Sequence, residues 1–241
     1  MANNLANPIY LMCGLFLIAL IVYSIKKRRK QTRIEQWKKS LNLTSHIQVF
    51  QHLYNGVDGF AVSRVARQKK DAIELTYGEI EFIPFIALLS LVNPDKDTVF
   101  YDLGCGTGKA VLACSMVYPI QKSIGIELLP ELYSIAQQQT EKLATYQDYI
   151  LQAKKIVILL DDILEADLNE ATLIFVNSTT FLGEIWQKLY VRLKTLPKLK
   201  TVITTSKALP DEDFTVINST KLQMSWGVVP AFIHSRKTNC H

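Results

Sequence analysis

The run Thr98-Val-Phe-Tyr-Asp-Leu-Gly-Cys-Gly-Thr-Gly-Lys109 constrains this fold more than any other stretch of the chain. TVFYDL (98–103), rich in β-branched and aromatic residues, reads as a buried strand. Gly104, Gly106 and Gly108 read as a turn that needs backbone freedom, and AVLACSMV (110–117) as a helix. The cadence then repeats. SIGIE (123–127) is a strand followed by a helix from Pro130 to Tyr146, and KIVILLD (155–161), ATLIFVN (171–177) and KTVITTS (200–206) are further β-rich runs, with a helix from Leu182 to Lys194 between the last two. Alternating strands and helices imply a mostly parallel sheet with helices on both faces. The tail from Phe214 to His234 lacks helical spacing and is predicted to add two antiparallel strands. The expected fold class is α/β, a seven-stranded, mostly parallel Rossmann-like sheet.

In such a sheet, ligands sit outside the carboxyl ends of the strands, which puts the Asp102–Gly108 turn where a cofactor belongs. A P-loop fails here: Gly108-Lys109 is followed by Ala110, and Leu103 stands where the first glycine should be. A dinucleotide fingerprint requires G-x-G-x-x-G, whereas this turn is G-x-G-x-G with Asp102 directly before it. A pyrophosphate favours a helix N-terminus without a nearby anion; an acid in this position suits a ligand with an amino group. S-adenosyl-L-methionine is such a ligand. Its ammonium can pair with Asp102, and glycines allow the backbone to approach its carboxypropyl part. Glu127 ends the next strand, where it can accept hydrogen bonds from both ribose hydroxyls, and Asp161-Asp162 ends the third, beside the adenine amino group. The combination predicts a class I methyltransferase, with an oxidoreductase disfavoured by the glycine spacing.

The chain from about residue 74 to 235 resembles the Dot (disruptor of telomeric silencing) family of non-SET protein-lysine methyltransferases. Thr76-Tyr77-Gly78-Glu79 resembles the family's loop over the methionine end of the cofactor, and FYDLGCGTGK its glycine motif, with Cys105 where Ser is usual. IGIE implies Glu127 at the ribose, and DDIL implies Asp162 at the adenine. Phe175-Val-Asn-Ser-Thr-Thr-Phe181 is similar to the family's V-N-N-x-x-F stretch beside the methyl-transfer site, with Ser178 replacing the second Asn. Ser225-Trp226, Pro230 and Phe232-Ile233-His234 are similar to a segment that helps form the lysine channel, about two residues shorter here, with Phe232 where tyrosine is expected. The resemblance implies a protein-lysine N-methyltransferase in which Tyr77, Glu79, Asp102, Gly104, Gly106, Gly108, Glu127 and Asp162 hold the cofactor. Asn177, Phe181, Trp226 and Tyr77 would then form the transfer site. The rival readings are a methyltransferase of small molecules or nucleic acid, and a non-catalytic S-adenosylmethionine-binding adapter.

Charge bears on the partner. The chain of 241 residues has a net charge of +5, yet residues 1–33 alone carry six bases and no acid. Residues 34–241 have 21 bases against 22 acids, a net −1, and residues 71–241 have 15 against 20, a net −5. An acidic body disfavours a nucleic-acid groove and suits a lysine-bearing protein. No N/D-P-P-Y/F motif for a nucleobase amine is present. Nothing in the sequence fixes the oligomeric state.

Pro8 to Ile25 run 18 residues without a charge and are followed at once by Lys26, Lys27, Arg28, Arg29, Lys30 and Arg33. A signal peptide has the opposite order of charge. The expectation is a transmembrane anchor over 1–25, with a short N-terminus outside, a basic flank and helical linker over 26–70, and a methyltransferase domain over 71–241 in the cytoplasm. The substrate would then be a membrane-associated protein. Residues 32–55 show helical spacing (Ile34, Trp37, Leu41, then Ile47, Phe50, Leu53), Gly56 and Gly59 break it, and an apolar helix is expected from Phe82 to Leu91, before a turn at Asn93-Pro94. Cys13, Cys105, Cys114 and Cys240 and the four histidines form no metal-ligand spacing and no disulfide framework.

Overall fold

Five apolar runs bounded by turns form parallel strands in a computed structural model that describes residues 8–67 and 77–237. They are β1 (Val99–Leu103), β2 (Lys122–Glu127), β3 (Ile156–Leu160), β4 (Leu173–Val176) and β5 (Thr201–Thr205). β6 (Phe214–Met224) and β7 (Gly227–Arg236) form the expected hairpin, with β7 antiparallel to β5. The sheet order is β3-β2-β1-β4-β5-β7-β6. All five residues of β1 are buried, as a strand covered on both faces requires.

The helices are α1 (Pro8–Ser40), α2 (Leu43–Leu53), α3 (Gly59–Arg67), α4 (Phe82–Ser90), α5 (Lys109–Val117), α6 (Pro130–Ala144), the short α7 (Ile150–Ala153) and α8 (Gly183–Thr195). Pro130 opens α6, where its fixed φ and missing N–H cost nothing. Gly59 does not break the chain as expected; it starts α3, with the Asp58 carboxylate accepting the Ala61 N–H at 2.9 Å as an N-cap. Alternate residues of each strand face opposite layers. Phe100 and Phe175 pack on Phe85 of α4, with ring centroids at 6.4 and 5.1 Å. Tyr101, Leu103, Ile174 and Val176 instead join Leu189 and Leu193 of α8 in a second core.

The expected membrane anchor is overturned: among the described residues, no helix is long and apolar enough to cross a membrane. The side chains described from Phe16 to Ile25 are exposed and mostly apolar, but Lys26 follows in the same unbroken helix. With the anchor go the single-pass topology, the outward N-terminus and the membrane-tethered partner. The chain divides into two compact units, Met1–His46 and Ile47–His241, the boundary falling inside α2.

The strand order reverses between β1 and β4, whose chain connections leave in opposite directions and open a crevice at the carboxyl ends. Register aligns these ends. Leu103 pairs with Ile126 on one side and Val176 on the other, Glu127 pairs with Leu160, and Val176 pairs with Thr204. The residues just beyond them therefore share one edge of the sheet.

Candidate functional site

The turn after β1 works through its glycines. Gly104, Gly106 and Gly108 have φ of +81°, +58° and +82°, a region that costs an L-residue about 1–2 kcal/mol. At Gly106 space is also decisive, since a Cβ there would lie 2.3 Å from the Tyr77 ring. Gly125 on β2 has a similar role, since a Cβ would meet the Cys105 sulfur at 2.6 Å.

Asp102 is buried (4% exposed). Burial and then the neighbouring Glu127 push its pKa up to about 8. Glu127, also buried, accepts the Gly106 N–H at 2.7 Å and the Leu129 N–H at 2.9 Å, one on each oxygen. Desolvation raises its pKa, and these two bonds oppose the rise. A carboxylate has about four acceptor directions, so Glu127 keeps capacity for further donors. Half-buried Asp162 accepts the Leu164 N–H at 2.9 Å on one oxygen, while exposed Asp161 accepts the Asp162 N–H at 2.8 Å. Two neighbouring buried carboxyls, the second with spare acceptor capacity, and a left-handed glycine turn fit a cationic amino-acid nucleoside. The residues expected to hold S-adenosylmethionine thus have the chemistry it needs.

Above the turn lies the segment Tyr77–Glu79; Thr76 lies outside the described residues. The Tyr77 hydroxyl donates to Glu79 Oε1 at 2.7 Å and pairs with Thr107 Oγ1 at 2.8 Å. Its ring sits in a slot between Gly106 and Gly59 and meets the Phe60 ring edge-on at 5.2 Å. Desolvation, and then Glu79, raise the Tyr77 pKa far enough to keep it protonated. The other side of the segment is held by the tip of the β6–β7 hairpin. Ser225 N–H donates to Glu79 O at 3.0 Å, and Glu79 N–H donates to Ser225 Oγ at 3.2 Å. A Cβ at Gly78 would be 2.2 Å from the Trp226 ring. The two sequence features flanking the glycine motif, far apart in the chain, are neighbours in space.

At the ends of β4 and β5 a set of hydroxyls holds Asn177. Its Oδ1 accepts from Thr205 Oγ1 at 2.8 Å and Thr179 Oγ1 at 3.0 Å, and Thr179 pairs with Ser206 at 2.7 Å. Ser178 is fully buried and donates to Thr205 O at 2.5 Å, so the departure from the expected Asn is a small residue closing a tight space. Phe181 is buried in the α8-side core and stands 3.7 Å from where a Gly104 Cβ would be. It therefore touches both halves of the site. Trp226 is 41% exposed, while Phe232 is half-buried on β7 beside His234, their centroids 6.4 Å apart. His234 is structural: it accepts the Leu209 N–H on Nε2 at 3.0 Å, and Nδ1 faces Val202 O at 3.1 Å, which fixes a neutral ring with its proton on Nδ1. Burial lowers its pKa accordingly.

Sequence reasoning missed four contributors. Tyr54 donates to Thr107 O at 3.0 Å, and Lys109 pairs with Glu79 at 2.5 Å. Thr205 orients Asn177, and Lys207 donates to Phe181 O and lies 5.4 Å over the Trp186 ring. Lys109 and the Thr205-Ser206-Lys207 run carried a signal, being polar residues directly after a strand or glycine turn. Tyr54 carried none.

The sheet order, the acids ending β1 and β2 and the glycine turn between them define a class I S-adenosylmethionine-dependent methyltransferase arrangement. Residues 61–229 match the family described as Histone methylation protein DOT1, and the chain belongs to it. A protein-lysine N-methyltransferase of Saccharolobus islandicus (strain REY15A) is 26% identical over 98 residues, 41% of this chain and 56% of that protein. The match thus spans little more than half of that relative. Among solved structures, TrmN from Thermus thermophilus superposes with a TM-score of 0.50 at 16% identity, covering 64% of this chain and 48% of that one. A protein of the NADB-Rossmann superfamily from Streptococcus agalactiae does so with a TM-score of 0.50 at 15% identity, over 66% and 70%. These two likenesses are of fold.

Proposed function

We propose that this chain is an S-adenosylmethionine-dependent protein-lysine N-methyltransferase of Dot type. The observation that carries the reading is Asp102, a buried carboxyl at the strand-order reversal whose neighbour Glu127 is a second buried acid. Burying two neighbouring acids is costly, and an ammonium is the ligand that relieves the cost. Glu127 serves the ribose, Asp162 the adenine, and Tyr77 with Glu79 covers the methionine end. The family, the named activity of the Saccharolobus islandicus relative and the net −5 of residues 71–241 all support a lysine-bearing protein as substrate.

The bound cofactor supplies an electrophilic methyl on a sulfonium. The chain's own residues supply alignment and a dry approach. A lysine with a pKa near 10.4 is only about 0.1% neutral near pH 7.4. Phe181 and Trp226 form apolar aromatic walls that disfavour the ammonium and so increase the neutral fraction. Asn177, held through its oxygen by two hydroxyls, presents its amide nitrogen and is fixed in orientation. Tyr77 remains protonated and acts as a lid, not a base. When bound, the cofactor would supply the methyl group, and because Tyr77 stays protonated the product ammonium would lose its proton to water.

The test is methyl labelling of a protein extract by the purified chain with isotopically labelled S-adenosylmethionine, with Asp102→Ala as control. Label on lysine side chains supports the reading. Label confined to nucleic acid or small molecules overturns the substrate class, and tight NAD binding without S-adenosylmethionine binding overturns the cofactor.

A further inference from the structure

Lys109 is the first residue of α5, immediately after the third glycine. A cation there has the wrong sign for a helix N-terminus, which carries partial positive charge. Its placement therefore needs a compensating partner. Nζ lies 2.5 Å from Glu79 Oε2, the two side chains being 18% and 11% exposed, and 5.1 Å from the centre of the Tyr54 ring. Glu79 accepts from Tyr77, Tyr77 pairs with Thr107, and Thr107 O accepts from Tyr54. The side chains form a closed circuit joining the end of α2, the 77–79 segment and the glycine turn.

We propose that Lys109 is a positioning residue, a charge latch that holds the Tyr77–Glu79 segment shut over the glycine turn by pairing with Glu79. It acts on the cofactor only through that segment, and the role rests on the reading of the site as an S-adenosylmethionine site. Two consequences follow. Without the ammonium, Glu79 becomes a buried, uncompensated acid and moves outward to water, taking Tyr77 from its slot between Gly59 and Gly106. Without Glu79, the ammonium is left unpaired beside a site meant for a cationic cofactor.

Two measurements decide the matter, one without ligand. Amide hydrogen exchange of residues 77–80 in the ligand-free protein should accelerate about tenfold in Lys109→Met, and S-adenosylhomocysteine binding by calorimetry should weaken about tenfold. Lys109→Arg, which keeps the charge, should restore both to within about threefold of wild type. The double variant Lys109→Met/Glu79→Gln should be no worse than Lys109→Met alone, since the two residues act as one unit. Unchanged exchange and affinity in Lys109→Met, or additive losses in the double variant, would overturn the latch. A wild-type chain that does not bind S-adenosylhomocysteine would sink the reading of the site instead, and the exchange comparison would still decide the latch. Should Lys109→Met not fold, Glu79→Gln in the same two measurements replaces it.

Discussion

The two halves of this site are built from different materials. The cofactor half, at the ends of β1, β2 and β3, consists of backbone conformations and buried acids: three left-handed glycines, buried Asp102, and Glu127 pinned by two N–H groups. The transfer half, at β4, β5 and the hairpin tip, consists of side chains supporting one another: hydroxyls around Asn177, an exposed Trp226 and a buried Phe181. Backbone-built sites tolerate almost no substitution, whereas side-chain-built sites can be retuned by changing neighbours. The departures from the Dot pattern agree with this: of the three substituted positions, Ser178 and Phe232 fall in the transfer half, as does the shortened segment before Phe232.

The contrast is broken most directly at Asp102. Asp102→Ala should weaken S-adenosylhomocysteine binding by about 100-fold, the effect of losing a charged hydrogen bond of about 3 kcal/mol, whereas Trp226→Ala should leave it within about threefold while lowering turnover at least about tenfold. Equal effects on binding from the two variants would erase the distinction.

The pH dependence of Asp102 sharpens it next. Between the unfolded value near 3.9 and about 8, the folded chain holds a proton on Asp102 that the unfolded chain has lost. Stability should therefore fall as pH rises from about 4 to 8, by up to about 1.4 kcal/mol per unit, and Asp102→Asn should flatten that slope. Cofactor affinity should rise over the upper part of the same range as the carboxylate forms. Urea melts and calorimetry at several pH values test both.

Glycine substitutions separate space from strain. Gly106→Ala combines a φ of +58° with a 2.3 Å clash against Tyr77, so it should cost about tenfold in cofactor affinity beyond Gly104→Ala, whose Cβ meets only Phe181 at 3.7 Å. The smallest effect is expected at Ser178. Ser178→Ala loses one buried hydrogen bond to Thr205 O and should cost about 1 kcal/mol in a thermal melt, with cofactor binding unchanged.

Much of the cofactor half was legible because its chemistry is local in sequence. Asp102 and the glycines are contiguous, and Glu127 and Asp162 each end a strand whose periodicity is plain, so their arrival at one edge follows from the parallel order. The strand limits differ from expectation by one or two residues at their ends, where pairing, not composition, decides. Asn177 and Phe181 were legible as a motif, but that Thr205 and Ser206 support them was not, because 24 residues separate the end of β4 from the start of β5. Tyr54 and α3 escaped entirely: a helix start at Gly59 looks like a break until Asp58 is seen capping it. The N-terminal stretch misled in the other direction. Absence of charge over 18 residues suggested a span, but α1 runs without interruption from that stretch into the basic cluster, and among the described residues no helix is long and apolar enough to cross a membrane.

The sequence by itself determined the α/β order, the acids at the strand ends and the glycine turn, because each depends on a period or a conformation that a few neighbouring residues impose. Only the tertiary structure decided that Tyr77 lies against Gly106, that Trp226 rests on Gly78, and that Lys109 reaches Glu79. Those contacts join segments about 30 to about 150 residues apart, and no local rule specifies which distant side chain fills the space that a missing Cβ leaves open.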